Sequence, residues 1–379
     1  MKKLIFVFFL FLVLSKNVFA IETIAKQAIL YDMDTKSVLF KKNSDQLVSP
    51  SSMSKIMTIY YVFKKISEGE LSLQDEFIVS KKAWKKGGSK MFVKVNEKVK
   101  VEDLIRGIIV QSGNDACIVL AEGLSGSEKL FSEELTELGK EIGLVNSFFT
   151  NSTGWPDPEH LMTVDDLLTL SIRTIKDFPD LFHYYSEKEF TFSGIKQLNR
   201  NPLLFTDLNS DGLKTGHTSL GGYGLVATVK KNDRRLILVL NGLNSSKDRA
   251  KEAQRLLKIG FNQYEILKIA EANKNLKTLN VWGGDKKKIN IFSKDEIKIT
   301  IPKKIKKQLS FAIKYQSPLI PPIISEEPIG EFLIKKNKEI LKKFELFTDQ
   351  NVRKMNFFQK IGHNFRYLLF GESVIINNE

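Results

Sequence analysis

The sequence predicts an α+β fold, an antiparallel sheet packed by a cluster of helices and followed by a small all-β domain. Three observations predict it. Strand-like segments stand at both ends of the stretch up to Phe261, helical periodicity fills the middle, and beyond Phe261 short apolar runs alternate with lysine-rich turns. The length, about 359 residues once a leader is set aside, exceeds one ordinary domain and leaves room for the second.

The N-terminus reads as an export signal. Lys2 and Lys3 precede an unbroken run of eleven apolar residues, Leu4 to Leu14, and Val18-Phe19-Ala20 suits the cleavage positions. Spanning a bilayer takes roughly 20 apolar residues, which disfavours a retained anchor. Cleavage after Ala20 would start the chain at Ile21 and remove Lys2, Lys3 and Lys16 but no acid, lowering the net charge from +14 to +11. For an exported basic protein, anionic lipid or cell-wall polymer is a better-placed partner than nucleic acid. The single cysteine, Cys117, excludes an intrachain disulfide and reads as a small buried hydrophobe in the apolar stretch Ala116 to Ala121. The four histidines lack metal-ligand spacing, so neither metal nor other cofactor is expected.

Gln27 to Asp32 and Ser37 to Phe40 read as strands around Asp34-Thr35. Ser52 to Lys65, Val101 to Val110 and Asp115 to Leu124 carry helical periodicity. Thr163, with Asp166 three residues on, forms a capping-box signature ahead of Leu167, Leu168 and Leu170. Tyr223 to Lys231 and Arg234 to Asn241 form a hairpin about Asn232-Asp233, and a helix from Asp248 to Ile259 closes the domain at residues 21–261. Lys277 to Trp282, Lys288 to Phe292, Glu296 to Ile301 and Leu309 to Lys314 read as strands of the β-rich domain, residues 262–352. Pro318, Pro321, Pro322 and Pro328 forbid long helices there. In residues 353–379, Phe358, Ile361, Phe365, Leu368 and Leu369 recur at helical spacing, interleaved with Lys354, Lys360 and Arg366. This basic amphipathic tail reads as a membrane-surface helix on anionic lipid; a terminal helix packed on its own protein is the alternative.

Three short motifs occur in a workable order: Ser52-Met53-Ser54-Lys55, Ser112-Gly113-Asn114 and Lys214-Thr215-Gly216. Ser-x-x-Lys recurs at Ser193 to Lys196 and Ser-x-Asn at Ser15 to Asn17, so combination and context carry the argument. Ser52 and Lys55, three apart on a helix, share one face. A serine hydroxyl needs a base, and Lys55 serves only if uncharged, which requires burial and a nearby cation such as Lys214. The buried-looking neighbours Met53, Ile56 and Met57 make an idle lysine there costly. Ser112 and Asn114 fall in a break between helical runs, where a relay hydroxyl and an orienting amide fit, although a plain helix cap also fits. Lys214 and Thr215 can face a substrate carboxylate, and Gly216 lets a backbone pass close to a ligand. Backbone N–H groups of Ser52 and of His217 would then form an oxyanion hole.

With these strings the chain resembles the exported low-molecular-mass penicillin-binding proteins, specifically serine-type D-alanyl-D-alanine carboxypeptidases of family S11. The resemblance extends to Asp211 through Thr218, Gly87-Gly88-Ser89-Lys90-Met91-Phe92 and Asn151-Ser152-Thr153-Gly154-Trp155-Pro156-Asp157. It implies a penicillin-binding/β-lactamase-like transpeptidase domain, with Ser52 as acylated nucleophile and Lys55 as proton acceptor. It makes Ser112 and Asn114 the second-motif pair, and Lys214, Thr215, Gly216 and His217 the substrate edge, with Arg249 holding the terminal carboxylate. The implied partners are the D-Ala-D-Ala end of a peptidoglycan pentapeptide stem and covalently binding β-lactams. The implied place is the periplasm, at the outer face of the inner membrane. Trp155, where leucine is commoner, and Ser51 and Ser54, where alanine and threonine are usual, depart from the pattern without touching the chemistry. A β-lactamase would need a deacylating glutamate, for which Glu159 is the nearest loop candidate. A D-alanyl endopeptidase would use the same site, and a non-catalytic wall-associated scaffold is the remaining alternative.

Overall fold

The computed structural model describes residues 21–356 and Ile361. The leader and nearly all of the amphipathic tail lie outside them.

The chain opens with the hairpin β1 (Gln27–Asp32) and β2 (Ser37–Lys42). A 3-10 turn at Ser51–Ser54 runs into α1 (Lys55–Ser67). There follow β3 (Glu76–Ile78), α2 (Lys81–Lys85), β4 (Lys98–Lys100) and α3 (Val101–Ile109). Helices α4 (Asn114–Ser125), α5 (Glu128–Glu141) and α6 (Val164–Asp177) complete the cluster. The short hairpin β5 (Glu189–Phe192) and β6 (Ile195–Leu198) precedes three long strands, β7 (Ser210–Thr218), β8 (Gly222–Lys231) and β9 (Arg234–Leu243), and then α7 (Ser246–Gln263).

The five long strands form one antiparallel sheet in the order β2-β1-β9-β8-β7. The first strands thus pair with the last. This is the expected α+β sheet, covered on both faces, which is why β8 and β9 read as continuous apolar runs rather than alternating ones. Period-2 geometry divides their side chains between two cores. Val226, Ile237 and Val239 join the core beneath the helical cluster, while Leu225, Leu236 and Leu238 pack under α7 with Leu256 and Leu257. Strand β7 is left at the sheet edge, beside the 3-10 turn.

The second unit is all β: β10 (Tyr264–Ala270), β11 (Lys277–Asn280), β12 (Lys288–Phe292), β13 (Ile297–Pro302), β14 (Leu309–Tyr315), β15 (Gly330–Lys336) and β16 (Glu339–Thr348). Its five-stranded sheet β11-β12-β16-β15-β14 and the pair β10-β13 enclose a third core that includes Ile291, Ile299 and Ile334. Strands at 288–292 and 309–314 stand as the pattern predicted; β10, β15 and β16 carried no such prediction.

Two local readings need correction. Ser52 lies in the 3-10 turn and not in an α-helix, though the spacing still brings it to Lys55. The capping box at Thr163 is one-sided. Its hydroxyl accepts from the Asp166 N–H, while the Asp166 carboxylate turns away to accept from the Asn146 N–H and the Ser147 hydroxyl.

The two units are tied through Asp32, which is fully buried. One oxygen accepts from the N–H groups of Asp34 and Thr35. The other accepts from Arg234 Nε at 2.7 Å and from the Thr300 hydroxyl, on β13, at 2.8 Å. Removing a partner strands a buried charge, and that costs more than the pair contributes. Arg234→Ala is accordingly expected to destabilise the protein by about 3 kcal/mol, read as a lower urea midpoint; a midpoint unchanged from the parent would contradict this role for Asp32.

Candidate active site

The 3-10 turn and α1 place Ser52 above Lys55. The Lys55 side chain is fully buried, and Met53, Ile56 and Met57 around it are buried too. Its amine donates to Ser52 Oγ at 2.9 Å, to Asn114 Oδ1 at 2.8 Å and to the Thr153 carbonyl. No carboxylate is among these partners. Burial lowers the Lys55 pKa to about 8, with smaller contributions from the charges of Arg200 and Lys86. Lys214, the cation expected beside Lys55, is likewise buried, and its own pKa is lowered by burial first and by the Lys55 charge second.

The three contacts define what a neutral amine would do there. It keeps two N–H bonds and gains a lone pair. The amide oxygen of Asn114 and the Thr153 carbonyl can only accept, so the lone pair faces the one partner able to donate, the Ser52 hydroxyl.

Each acceptor is held by its own scaffold. Residues 151–155 form a loop in which Asn151 Oδ1 accepts from the N–H groups of Thr153 and Trp155. The Thr58 hydroxyl fixes the Ser152 carbonyl at 2.7 Å, and Ser152 Oγ donates to the buried Glu128, itself paired with Lys82. Gly154 has φ +71°, and a Cβ there would stand 2.0 Å from the Ser51 carbonyl oxygen. Only glycine lets this loop lie against the Ser51–Ser54 turn.

The second motif sits where the sequence placed it, between α3 and α4. Ser112 adopts φ +64°, unusual for serine, as α3 closes with Gly113 N–H on the Gly107 carbonyl. The helix-cap alternative fails: the cap position of α4 is Gly113 and no side chain bonds it. Asn114 instead joins Lys55 on one side and, through Nδ2, the Gly87 carbonyl on the other. Asp115 accepts from the N–H groups of Met91, Phe92 and Val93, fixing the 87–93 loop.

On the edge strand β7, Gly216 approaches the start of the 3-10 turn so closely that a Cβ would meet the Pro50 carbonyl at 2.9 Å. Ser52 and Ser112 from the first two motifs, Thr215 and Gly216 from the third, and the following His217 line one cavity of about 440 Å³ with Arg249 of α7. Lys55, Asn114 and Lys214 lie buried behind this wall. The His217 ring stacks on Tyr223 at 3.8 Å. Arg249 stands over the same Tyr223, and its Nε is buried without a protein partner.

Sequence reasoning missed three further lining residues, Ser89, Arg200 and Tyr223. Arg200 donates to Ser89 Oγ at 2.6 Å, adding another cation to the cavity. Nothing near Arg200 in sequence signals this. Thr153 and Glu128 were also missed, because a backbone acceptor and its distant prop leave no residue pattern. The lining holds cations and no carboxylate, so it suits an anionic ligand beside the Ser52 hydroxyl and the buried Lys55 amine.

A family model described as D-alanyl-D-alanine carboxypeptidase, peptidase S11, matches residues 15–245. The chain belongs to that family. A second, the C-terminal domain of penicillin-binding protein 5, matches residues 264–354. The D-alanyl-D-alanine carboxypeptidase DacA of Haemophilus influenzae is 35% identical, over 89% of this chain and 87% of that one. DacC of Escherichia coli is 34% identical, over 89% and 86%. The crystal structure of penicillin-binding protein 5 from H. influenzae superposes with a TM-score of 0.80 at 34% identity, covering 88% of this chain and 99% of that chain. The likeness to S11 enzymes therefore spans both domains.

In this S11 member, Gly154→Ala is expected to push the 151–155 loop off Lys55. A shift of about 1 Å at a reacting pair costs on the order of 100-fold in rate. Stopped-flow acylation at the parental rate, with unchanged melting, would show that the loop does not set the Lys55 geometry.

Proposed function

We infer that this protein is a serine-type D-Ala-D-Ala carboxypeptidase acting through a Ser52 acyl-enzyme. The observation that carries the reading is the 2.9 Å contact between Ser52 Oγ and a Lys55 amine that burial brings to a pKa of about 8. Ser52 attacks the carbonyl of the penultimate D-alanine while neutral Lys55 takes its proton. Backbone N–H groups of Ser52 and His217 receive the oxyanion. Ser112 passes the proton to the departing D-alanine amine, and water then releases the shortened stem. Arg249 and Thr215, backed by Lys214, hold the terminal carboxylate of the substrate, which the unpartnered Arg249 Nε suits.

The same reading makes β-lactams covalent inhibitors. A β-lactamase is less well supported, because Glu159 is exposed and absent from the cavity wall. A crosslink-cutting endopeptidase would share every group named. The non-catalytic scaffold reading has no support in a site whose first two motifs are hydrogen-bonded and whose third lines the same cavity.

The proposal extends to the whole chain. Residues 1–20 serve as an export signal, 21–261 as the catalytic domain and 262–352 as a stand, with 353–379 holding the enzyme on the periplasmic face of the inner membrane. Among the described residues no helix is long and apolar enough to cross a membrane, which suits peripheral attachment.

Benzylpenicillin is expected to add its mass to the Ser52 peptide and not to label Ser52→Ala. A folded parent that takes up no label, or a Ser52→Ala protein that takes it up elsewhere, would overturn the assignment. Arg249→Ala should lower kcat/KM on a D-Ala-D-Ala peptide about 10- to 100-fold, the worth of one charge-assisted hydrogen bond. Unaltered turnover would remove Arg249 from the carboxylate site.

A further inference from the structure

At the end of the β domain where the described chain stops, three segments interlock. The Trp282 N–H donates to the Leu319 carbonyl, Ile323 and Val352 exchange backbone hydrogen bonds, and the Met355 N–H donates to the Gly283 carbonyl. Between Leu319 and Ile324 the chain alternates sides. Leu319, Pro321 and Ile323 are buried, and Leu319 and Ile323 belong to the third core. The alternate positions, where a solvated strand would carry polar groups, hold Ile320, Pro322 and Ile324. Ile320 is 61% exposed and Ile324 44%. Trp282, bonded to the base of this segment, is 39% exposed.

Around this apolar stripe are exposed Lys286, Lys287, Arg353 and Lys354, with Asp285, Glu326 and Glu327 as the nearby acids. Asp285 is turned to the backbone N–H of Arg353, and Glu326 is paired with Lys294 at 3.2 Å. Large aliphatic side chains, an interfacial tryptophan and a surplus of lysine and arginine are the composition of a surface that enters an anionic headgroup layer. The chain leaves this same corner at residue 356 and continues into the basic amphipathic sequence. Ile361, within that sequence, is 52% exposed.

We propose that the tip formed by Trp282, Ile320, Pro322 and Ile324 is a second membrane contact, inserting into an anionic phospholipid surface beside the tail. It rests on the membrane-attached reading and adds to it: two contacts at one corner would fix the orientation of the β domain, where a single helix would leave it free to swing.

Full-length protein labelled at Ile324→Cys with a polarity-sensitive fluorophore tests this, because Cys117 is fully buried and does not compete for the label. Vesicles of phosphatidylglycerol and phosphatidylethanolamine are expected to sediment the protein and to blue-shift and brighten the probe, while a control probe at Ser67→Cys stays unchanged. The double variant Ile320→Ser/Ile324→Ser, tested unlabelled, should bind these vesicles about tenfold or more weakly, the burial of two isoleucine side chains being at stake. Sedimentation without any change at the Ile324 probe, and at full affinity in the double variant, would overturn the tip contact while leaving tail attachment standing. Failure of both parent and variants to sediment would overturn attachment and the tip contact together. A probe that responds to added protein but not to lipid would assign the stripe to a protein partner and also overturn the proposal.

Discussion

The structure is organised around an amine buried without a counter-ion. An ammonium group taken out of water costs several kcal/mol unless acceptors replace its hydration. Lys55 receives three, all neutral. A carboxylate in any of those places would hold the proton on the amine. Much of the surrounding architecture supplies these neutral oxygens at fixed positions. The α3–α4 break delivers Asn114, the 151–155 loop delivers Thr153, and the 3-10 turn delivers Ser52.

The supports of those acceptors are charged, but their charges are placed at one remove. Asp115 spends its carboxylate on backbone N–H groups of the 91–93 segment, and Glu128 spends its own on Ser152 and Lys82. Both organise loops that touch the amine or its partners, and neither is hydrogen-bonded to it. On the open side the balance is reversed. Lys214, Arg200 and Arg249 face or back the cavity, each with its pKa pulled down chiefly by burial. A concentration of cations in a poorly solvated wall is costly until an anion arrives, so the same groups that destabilise the empty site favour a ligand ending in a carboxylate.

The sheet was legible because its strand signals bracket the helical stretch, and burial of β8 and β9 on both faces made them conspicuous. The three motifs were legible because they combine unusual residue types in a fixed order, and the cavity gathers residues of all three. Other features had no sequence signal. Strands β15 and β16 are rich in lysine and only partly buried, so their alternation is blurred. The Thr153 carbonyl is a backbone group, invisible to any reading of side chains. Arg200 reaches the cavity only through the tertiary course of the chain after β6. Burial of the Lys55 amine was legible from its apolar neighbours Met53, Ile56 and Met57, and burial is the chief cause that lowers its pKa.

The central claim is that Lys55 is the proton acceptor, poised by burial. The most direct test is the second-order rate constant for acylation of Ser52 as a function of pH, between about pH 6 and 10. A base whose pKa is lowered to about 8 is charged and inactive below that value and neutral above it. The rate is therefore expected to climb about tenfold per pH unit on the acid side, bend near pH 8 and level off beyond it. A profile that is flat across this range, or that bends near the ordinary lysine value, would contradict the account.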